Sequence, residues 1–129
     1  MKKILVIIGI VILILAGGLA VSYNGLAGSR ESVETAQADV DTMLQRRADL
    51  IPNLVSTVKS YAKHETEVFD KVLEARSQLM DADTMEEKAE ADQQVESALN
   101  GLKVVVENYP ELKSDTTYVS LMDELSGSE

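Results

Sequence analysis

The chain has 129 residues, of which 22 are acidic and 12 are basic, and its formal net charge is −10 at pH 7. A charge of this sign repels phosphate backbones and anionic headgroups, so it argues against nucleic acid as a partner. The sequence contains no cysteine, which excludes disulfide bonds, thiolate metal sites and an acylated lipoprotein anchor.

The first element is an uncharged apolar segment from Ile4 to Val21, which directly follows Lys2 and Lys3. Eighteen residues of α-helix rise about 27 Å, close to the hydrocarbon thickness of about 30 Å. We therefore expect residues 1–22 to form a transmembrane anchor. A cleaved secretory signal is the alternative, but the apolar run exceeds the roughly 7 to 15 residues of a signal core.

The charges that flank the anchor predict its orientation. Two lysines precede the apolar segment, whereas Arg30 is the one basic residue in the twenty positions after it. Basic residues concentrate on the cytoplasmic side of a span, so we expect a cytoplasmic N terminus and an exported body.

Residues 23–129 have the composition of a single helical domain. Ala, Leu, Val, Glu, Gln, Asp and Lys dominate, the whole chain has two prolines, and only 4% of its residues are aromatic. Such a composition favours helices over sheets. The predicted fold class is therefore all-α, with a soluble body after the transmembrane helix.

Apolar positions recur at spacings of three and four, as on one face of a helix. Because separate amphipathic helices bury their apolar faces only against each other, we predict an antiparallel, four-helix-bundle-like domain with a short last helix. The apolar positions form four groups: Val33, Ala36, Val40, Met43, Arg47, Leu50, Leu54, Val58, Tyr61 and Ala62; Val68, Val72, Ala75 and Leu79; Met85, Ala89, Val95, Leu99, Leu102, Val106 and Tyr109; Tyr118, Leu121, Met122 and Leu125.

Two interruptions divide the helices of the body. Pro52 lacks an amide proton, so we expect the first helix to kink there or to restart after an N-cap at Asp49. A polar turn at residues 81–84 follows the second group, and Thr84 and Glu87 have the spacing of a capping box.

The last helix is predicted to be short. Pro110 ends the preceding helix, Ser114 or Asp115 caps the next one, and Gly127 ends it after about three turns. A helix much shorter than its partners leaves apolar surface uncovered. We therefore expect either that the bundle domain is C-terminally truncated or that self-association or a partner completes it.

Arg47 is an unusual member of the first apolar group. A buried guanidinium requires a carboxylate or carbonyl partner. A salt bridge to Asp49 or to Glu124 would satisfy it. The alternative is a site for an anion or for a partner's carboxylate at the helix break. The residues of this candidate partner-binding surface are Arg46, Arg47, Asp49, Pro52 and Asn53.

Metal-binding and catalytic patterns are weak in this sequence. His64 is the single histidine, and the HExxH pattern fails because Val68 stands four residues later. The acids between Asp81 and Glu87 lack the glycine and the terminal ligand of a calcium loop. We predict no metal ligand, no cofactor and no catalytic residue, and therefore no enzyme.

Acidic residues are densest between Glu65 and Glu96, where eleven acids accompany three basic residues. A solvated helical surface accounts for a run of this kind. A surface for a polycation or for divalent ions is the alternative.

Four segments together resemble the LemA family of bacterial membrane proteins. These are Arg46–Val55 (RRADLIPNLV), Tyr61–Glu65 (YAKHE), Glu107–Lys113 (ENYPELK) and Tyr23–Leu26 (YNGL). The resemblance implies a single-pass protein of the bacterial cytoplasmic membrane with a soluble helical bundle, and it brings no enzymatic activity. LemA-like proteins typically continue with a longer final helix, before which this sequence stops.

Two hypotheses of function follow. The first is a membrane-anchored, non-enzymatic scaffold or adaptor that binds an unidentified protein partner or self-associates. The second is a cation- or small-ligand-binding sensor domain at the membrane. Thermal melting with divalent ions and small anions separates them, because a bound ligand raises stability.

Overall fold

The computed structural model describes residues 2–127, which form five helices and no strand. The helices are α1 (Lys2–Tyr61), α2 (Thr66–Asp81), α3 (Met85–Glu107), α4 (Pro110–Lys113) and α5 (Thr116–Ser126). The predicted all-α fold is confirmed.

The contacts divide the chain into two units, one up to Ala38 and the other from Asp39 onward. In the first unit, the described side chains are all exposed. The apolar part of α1 contains an eighteen-residue stretch with a mean hydropathy of 3.2, and none of this stretch is buried. By length and composition alone, this segment is compatible with a membrane span.

The rest of the first unit, residues 22–38, is helical but buries no apolar face. Arg30 and Glu34 form an exposed ion pair of 2.8 Å, and hydroxyl groups such as that of Ser29 donate to carbonyls one turn earlier. Val33 and Ala36, which we assigned to the first apolar group, are exposed. The prediction that they are buried was wrong, because the core begins further along α1.

The second unit contains one hydrophobic core. Its largest fully buried side chains include Ile51, Leu54, Leu102, Leu112 and Leu125. The apolar periodicity located most of the core but not its ends. Phe69 and Ala91 are buried, whereas Met85 and Ala89 are exposed. Along α3 the buried face begins at Ala91. Ala91 lies four residues before Val95 and so on the same face of the helix, whereas Ala89 lies six residues before it and faces another side.

Polar contacts establish the helix directions. On α3, Lys88 contacts Asp41 and Asp92 contacts Arg47, so α3 is parallel to this part of α1. Tyr61 contacts Asp115 at the beginning of α5, while Arg46 contacts Glu124 near its end, so α5 is antiparallel to α1. Helix α2 begins shortly after the end of α1, and its Arg76 contacts Ala48 further back on α1, so α2 is antiparallel to α1. The unit is therefore the predicted antiparallel bundle.

The predicted caps are present. The Thr84 hydroxyl accepts a hydrogen bond from the Glu87 amide at 3.2 Å, and the Glu87 carboxylate accepts one from the Thr84 amide at 3.0 Å. The Asp115 carboxylate caps α5 by accepting from the Tyr118 amide at 2.9 Å. Gly127 follows the last residue of α5. The four-residue α4 was not predicted, and it carries the fully buried Leu112.

Helix α1 passes through Pro52 without ending, so the predicted restart after Asp49 was wrong. Proline has no amide to donate to the carbonyl four residues earlier, which belongs to Ala48. Nε of Arg76, on α2, donates to that carbonyl at 2.7 Å. Ala48 is only 1% exposed, so water is not a ready substitute for this donor. A side chain from α2 therefore supplies the hydrogen bond that Pro52 removes from α1.

This arrangement predicts that the cost of losing Arg76 depends on Pro52. In the natural chain, Arg76→Met keeps an apolar stem but leaves the buried carbonyl of Ala48 without this donor, which should cost about 1.5–3 kcal/mol. In a Pro52→Ala background, the restored amide donates to Ala48, so Arg76→Met should cost clearly less. Denaturant unfolding of the four full-length proteins in one detergent, followed by circular dichroism, gives the coupling free energy. Equal costs in the two backgrounds would contradict the assignment.

Tyr61 and Asp115 join the end of α1 to the beginning of α5. The Tyr61 hydroxyl donates to the Asp115 carboxylate at 2.9 Å. The hydrogen bonds from the Tyr118 amide and then from Tyr61 hold the pKa of Asp115 below its usual 3.8. The hydrogen bond to Asp115 raises the pKa of Tyr61 above 10.0. The ionised Asp115 therefore stabilises the folded bundle.

We expect this stabilisation to depend on pH. A carboxyl group whose pKa is lowered by folding stabilises the protein above its unfolded pKa, and that stabilisation is lost as the pH falls through the folded pKa. Asp115→Asn should therefore be less stable than the natural chain at pH 7, with a difference that shrinks below about pH 3.8. Tyr61→Phe should lose less stability at pH 7 than Asp115→Asn does, and its loss should also shrink as the pH falls. Thermal melts across pH 2–7 check this, and a gap that does not change with pH would argue against it.

Candidate functional site

The five residues of the predicted partner-binding surface lie on different sides of α1. Arg46, Asp49 and Asn53 share an exposed face, as their spacing of three and four requires. Nη2 of Arg46 lies 3.4 Å from a carboxylate oxygen of Glu124, and the Arg46 side chain is 62% exposed. Asp49 accepts a hydrogen bond from the neighbouring Gln45 at 3.0 Å. These three residues lie on the outer surface, whereas the other two do not.

Arg47 is directed into the bundle and Pro52 is half-buried within α1. The Arg47 side chain is 4% exposed and pairs with Asp92, whose side chain is 33% exposed. Burial with a carboxylate partner is as expected, and the carboxylate beside Arg47 belongs to Asp92, which was not among the predicted partners Asp49 and Glu124. Asp49 is two residues away on the same helix and faces another side.

The sequence does contain a signal for the true partner. Asp92 lies three residues before Val95 and seven before Leu99, so it falls on the buried face of α3. An acid and a base that each stand on an apolar face are natural partners inside a bundle, because each lowers the cost of burying the other. Asp92 is neither close to Arg47 in sequence nor at the end of the bundle, which is where the predicted partners lie.

A second ion pair lies about one turn from the first along α3 and six residues from it along α1. Nζ of Lys88 is 2.6 Å from a carboxylate oxygen of Asp41, with side chains 20% and 51% exposed. Along α1 the acid Asp41 precedes the base Arg47, whereas along α3 the base Lys88 precedes the acid Asp92. A shift of one turn between these helices would bring Lys88 towards Arg47, or Asp92 towards Asp41. The two pairs therefore select one register.

Arg46 lines an open groove of about 710 Å³ along α5. Val119, on the α5 side of the groove, is 42% exposed. This exposed apolar side chain fits the expectation that a short last helix leaves surface uncovered. The remaining lining residues are small or acidic: Ser114, Thr116, Ser120, Asp123, Glu124 and Gly127.

A different groove follows the line between α2 and α3, which we call the α2–α3 groove. It consists of two adjoining depressions of about 480 and 340 Å³, both lined by Gln78 and Gln94. Neither glutamine belongs to any motif that the sequence analysis selected. The dense run of acids between Glu65 and Glu96 covers most of this part of the chain, but no motif in the sequence combines residues of the two helices into a groove.

The described residues, 2–127, contain no group of three or more His, Asp or Glu side chains placed to hold a metal ion. His64 is exposed in the turn between α1 and α2. The absence of a cofactor and of catalysis stays a prediction.

The two ion pairs should differ in their effect on stability. Asp92→Asn removes the charge beside a guanidinium that is only 4% exposed. We expect a loss of about 2 kcal/mol, below the full cost of a buried pair because water reaches Asp92. The matched control, Asp41→Asn, breaks the more exposed pair and should cost less than about 1 kcal/mol. Denaturant unfolding of both variants checks the order, and equal losses would contradict it.

Comparison with known proteins agrees with the resemblance found in the sequence. The profile of the LemA family matches residues 36–129. Protein LemA of Metamycoplasma hominis is 24% identical over 107 residues, which cover 82% of this chain and 49% of that protein. The chain thus spans about half the length of the curated relative that it matches. Since the family profile covers well over half of the sequence, including the whole bundle, the chain belongs to the LemA family.

Proposed function

We propose that this chain is a membrane-anchored, non-enzymatic scaffold that presents its helical bundle to protein partners at a bacterial cytoplasmic membrane. The observation that supports this most directly is the composition of α1. The same helix contains the exposed apolar segment from Ile4 to Val21 and the buried core residues from Ala48 to Val58. One element thus supplies both the candidate anchor and the first helix of the bundle.

The surface of the bundle favours binding over catalysis. Its depressions are open grooves between helices, and the α2–α3 groove is acidic. Residues 39–129 carry 20 acids and nine basic residues, a net charge of −11. A strongly charged surface steers partners of the opposite charge and repels those of the same charge.

The charges around the anchor favour a bundle outside the cytoplasm, because two lysines precede the apolar segment. Protease added to spheroplasts should therefore digest the bundle without a detergent. Digestion that occurs only after permeabilisation would place the bundle in the cytoplasm and would contradict this orientation.

Membrane extraction and cross-linking test the scaffold proposal. The full-length chain should stay in the membrane pellet after a carbonate wash, at its unprocessed mass. A photo-cross-linking residue at Ser120, or at Glu96 on α3, should give discrete adducts with one protein or with a second copy. The matched control places the same residue at Tyr23, outside the bundle, and should not give those adducts. Release of a shortened chain, or the absence of discrete adducts from both bundle positions, would overturn the proposal.

A cation sensor gives a different result with the same protein. A ligand at about a hundredfold its Kd raises the free energy of unfolding by about 2.7 kcal/mol. Under the scaffold proposal, Ca²⁺, Mg²⁺ and Mn²⁺ should leave the melting temperature unchanged at constant ionic strength. A large shift with one of them would favour the sensor.

A further inference from the structure

The two depressions of the α2–α3 groove adjoin at Gln78 and Gln94, which line both. The lining extends from Val68 on α2 to Ala82, the residue that follows α2, and from Glu87 to Gly101 on α3. Each side spans fourteen residue steps, which correspond to about 21 Å of helix. The groove is therefore as long as about four turns of a helix laid along it.

The apolar floor of the groove consists mainly of small side chains, and the polar Gln78, Gln94 and Ser97 also line the groove. The small side chains are Ala75 on α2, Ala82 directly after it, and Ala91 and Ala98 on α3, with Val68 at one end. A Cβ atom added at Gly101 would have no atom within 4 Å, so that end of the groove has room for another side chain. Small residues on both helices let a third helix approach closely.

The walls of the groove are acidic. They carry four carboxylates, from Glu74, Asp81, Glu87 and Glu90. The one basic residue is Lys71, whose Nζ already lies 3.1 Å from a carboxylate oxygen of Glu67. Backbone hydrogen bonds from Thr84 and Asp83 lower the pKa of Glu87, which keeps that carboxylate ionised. The groove therefore presents negative charge on both sides of an apolar floor.

We propose that the α2–α3 groove binds a cationic amphipathic helix of a protein partner. Lysine or arginine side chains on the flanks of that helix face the carboxylates, and its small apolar face lies on the alanines. Helix-in-groove recognition uses this combination of apolar anchors and complementary charge. The inference rests on the proposed scaffold function and names the chemistry of the partner.

Charge disfavours a second copy of this chain as the occupant. Two bundles of net charge −11 repel each other, and the acids are densest in the region that contains the groove. A lipid surface is disfavoured for the same reason, since bacterial membranes are anionic at their surface. A basic helix is the occupant that both the walls and the floor fit.

Binding of a designed probe tests the proposal. The probe is a fluorescent fourteen-residue helix with alanine and leucine on one face and lysine on the flanks. Two control peptides are a scrambled version with the same charge and a version with glutamate for lysine. Anisotropy titrations use the full-length chain in neutral phosphatidylcholine nanodiscs. The amphipathic basic probe should bind more tightly than both controls, and its affinity should fall as salt is added.

Matched variants locate the site. Glu74→Gln combined with Glu90→Gln should weaken binding about tenfold, which corresponds to about 0.7 kcal/mol for each charge pair. The control pair, Glu86→Gln with Glu107→Gln, removes the same charge from exposed positions outside the groove and should change the affinity less than about twofold. Gly101→Leu should block one end of the groove, whereas Asn100→Leu, on the adjacent exposed position, should not.

Three results would overturn the proposal: no binding of the basic probe, equal binding of the scrambled probe, or equal weakening by the groove and control variants. Gly101→Leu is informative as long as the melting temperature does not fall, because leucine favours helix more than glycine does. The glutamate pair supplies a test that leaves the groove open. If the probe fails while Ser120 still cross-links to a membrane protein, the scaffold function stands and this groove is not its site. If the probe fails and neither Ser120 nor Glu96 gives discrete adducts, the scaffold function falls as well.

Discussion

The hydrogen bond from Arg76 to the carbonyl of Ala48 is the constraint on which the bundle depends. Pro52 removes the amide that would serve this carbonyl, yet α1 has to stay helical there, because Ile51, Leu54 and Val55 around the proline are all buried. A break at this point would turn the following apolar residues away from the core. The donor comes from another helix, 28 residues further along the chain. The continuity of α1 is therefore a tertiary property and not a local one.

Polar groups then determine which bundle forms. Apolar burial supplies most of the favourable free energy, but alanine, leucine and valine on helical faces accept several registers. The Arg47–Asp92 pair is placed where a sliding of α3 along α1 would separate it, and the Lys88–Asp41 pair repeats the constraint in reverse order. A buried ion pair adds little net stability because its charges lose their hydration, but a register that breaks the pair leaves a buried charge without compensation. At the opposite end, the hydrogen bond between Tyr61 and Asp115 ties α5 to α1.

The sequence predicted what depends on short-range patterns. The all-α class, the capping box at Thr84 and the cap at Asp115 all follow from residues within one turn of each other. The continuity of α1 could not be predicted in this way, because the local chemistry at Pro52 indicates a break and the compensating hydrogen-bond donor, Arg76, lies on α2. The pairing of Asp92 with Arg47 was also missed, because it depends on which helices pack against each other in the bundle. Of the five predicted site residues, Arg46, Asp49 and Asn53 lie on the surface, but no local pattern marks the α2–α3 groove, which two antiparallel helices create together.

Hydrogen exchange along α1 shows directly whether Arg76 keeps this helix intact at Pro52. Exchange of the amides at residues 49–58 is measured by mass spectrometry in the natural chain and in Arg76→Met, in the same nanodiscs, with the first turns of α3 as the internal reference. If Arg76 holds α1 through its proline, the variant should lose protection locally around Pro52, while the reference amides beside the capping box keep theirs. Unchanged protection in α1 would contradict the account, because it would show that the helix passes the proline without the donor from α2.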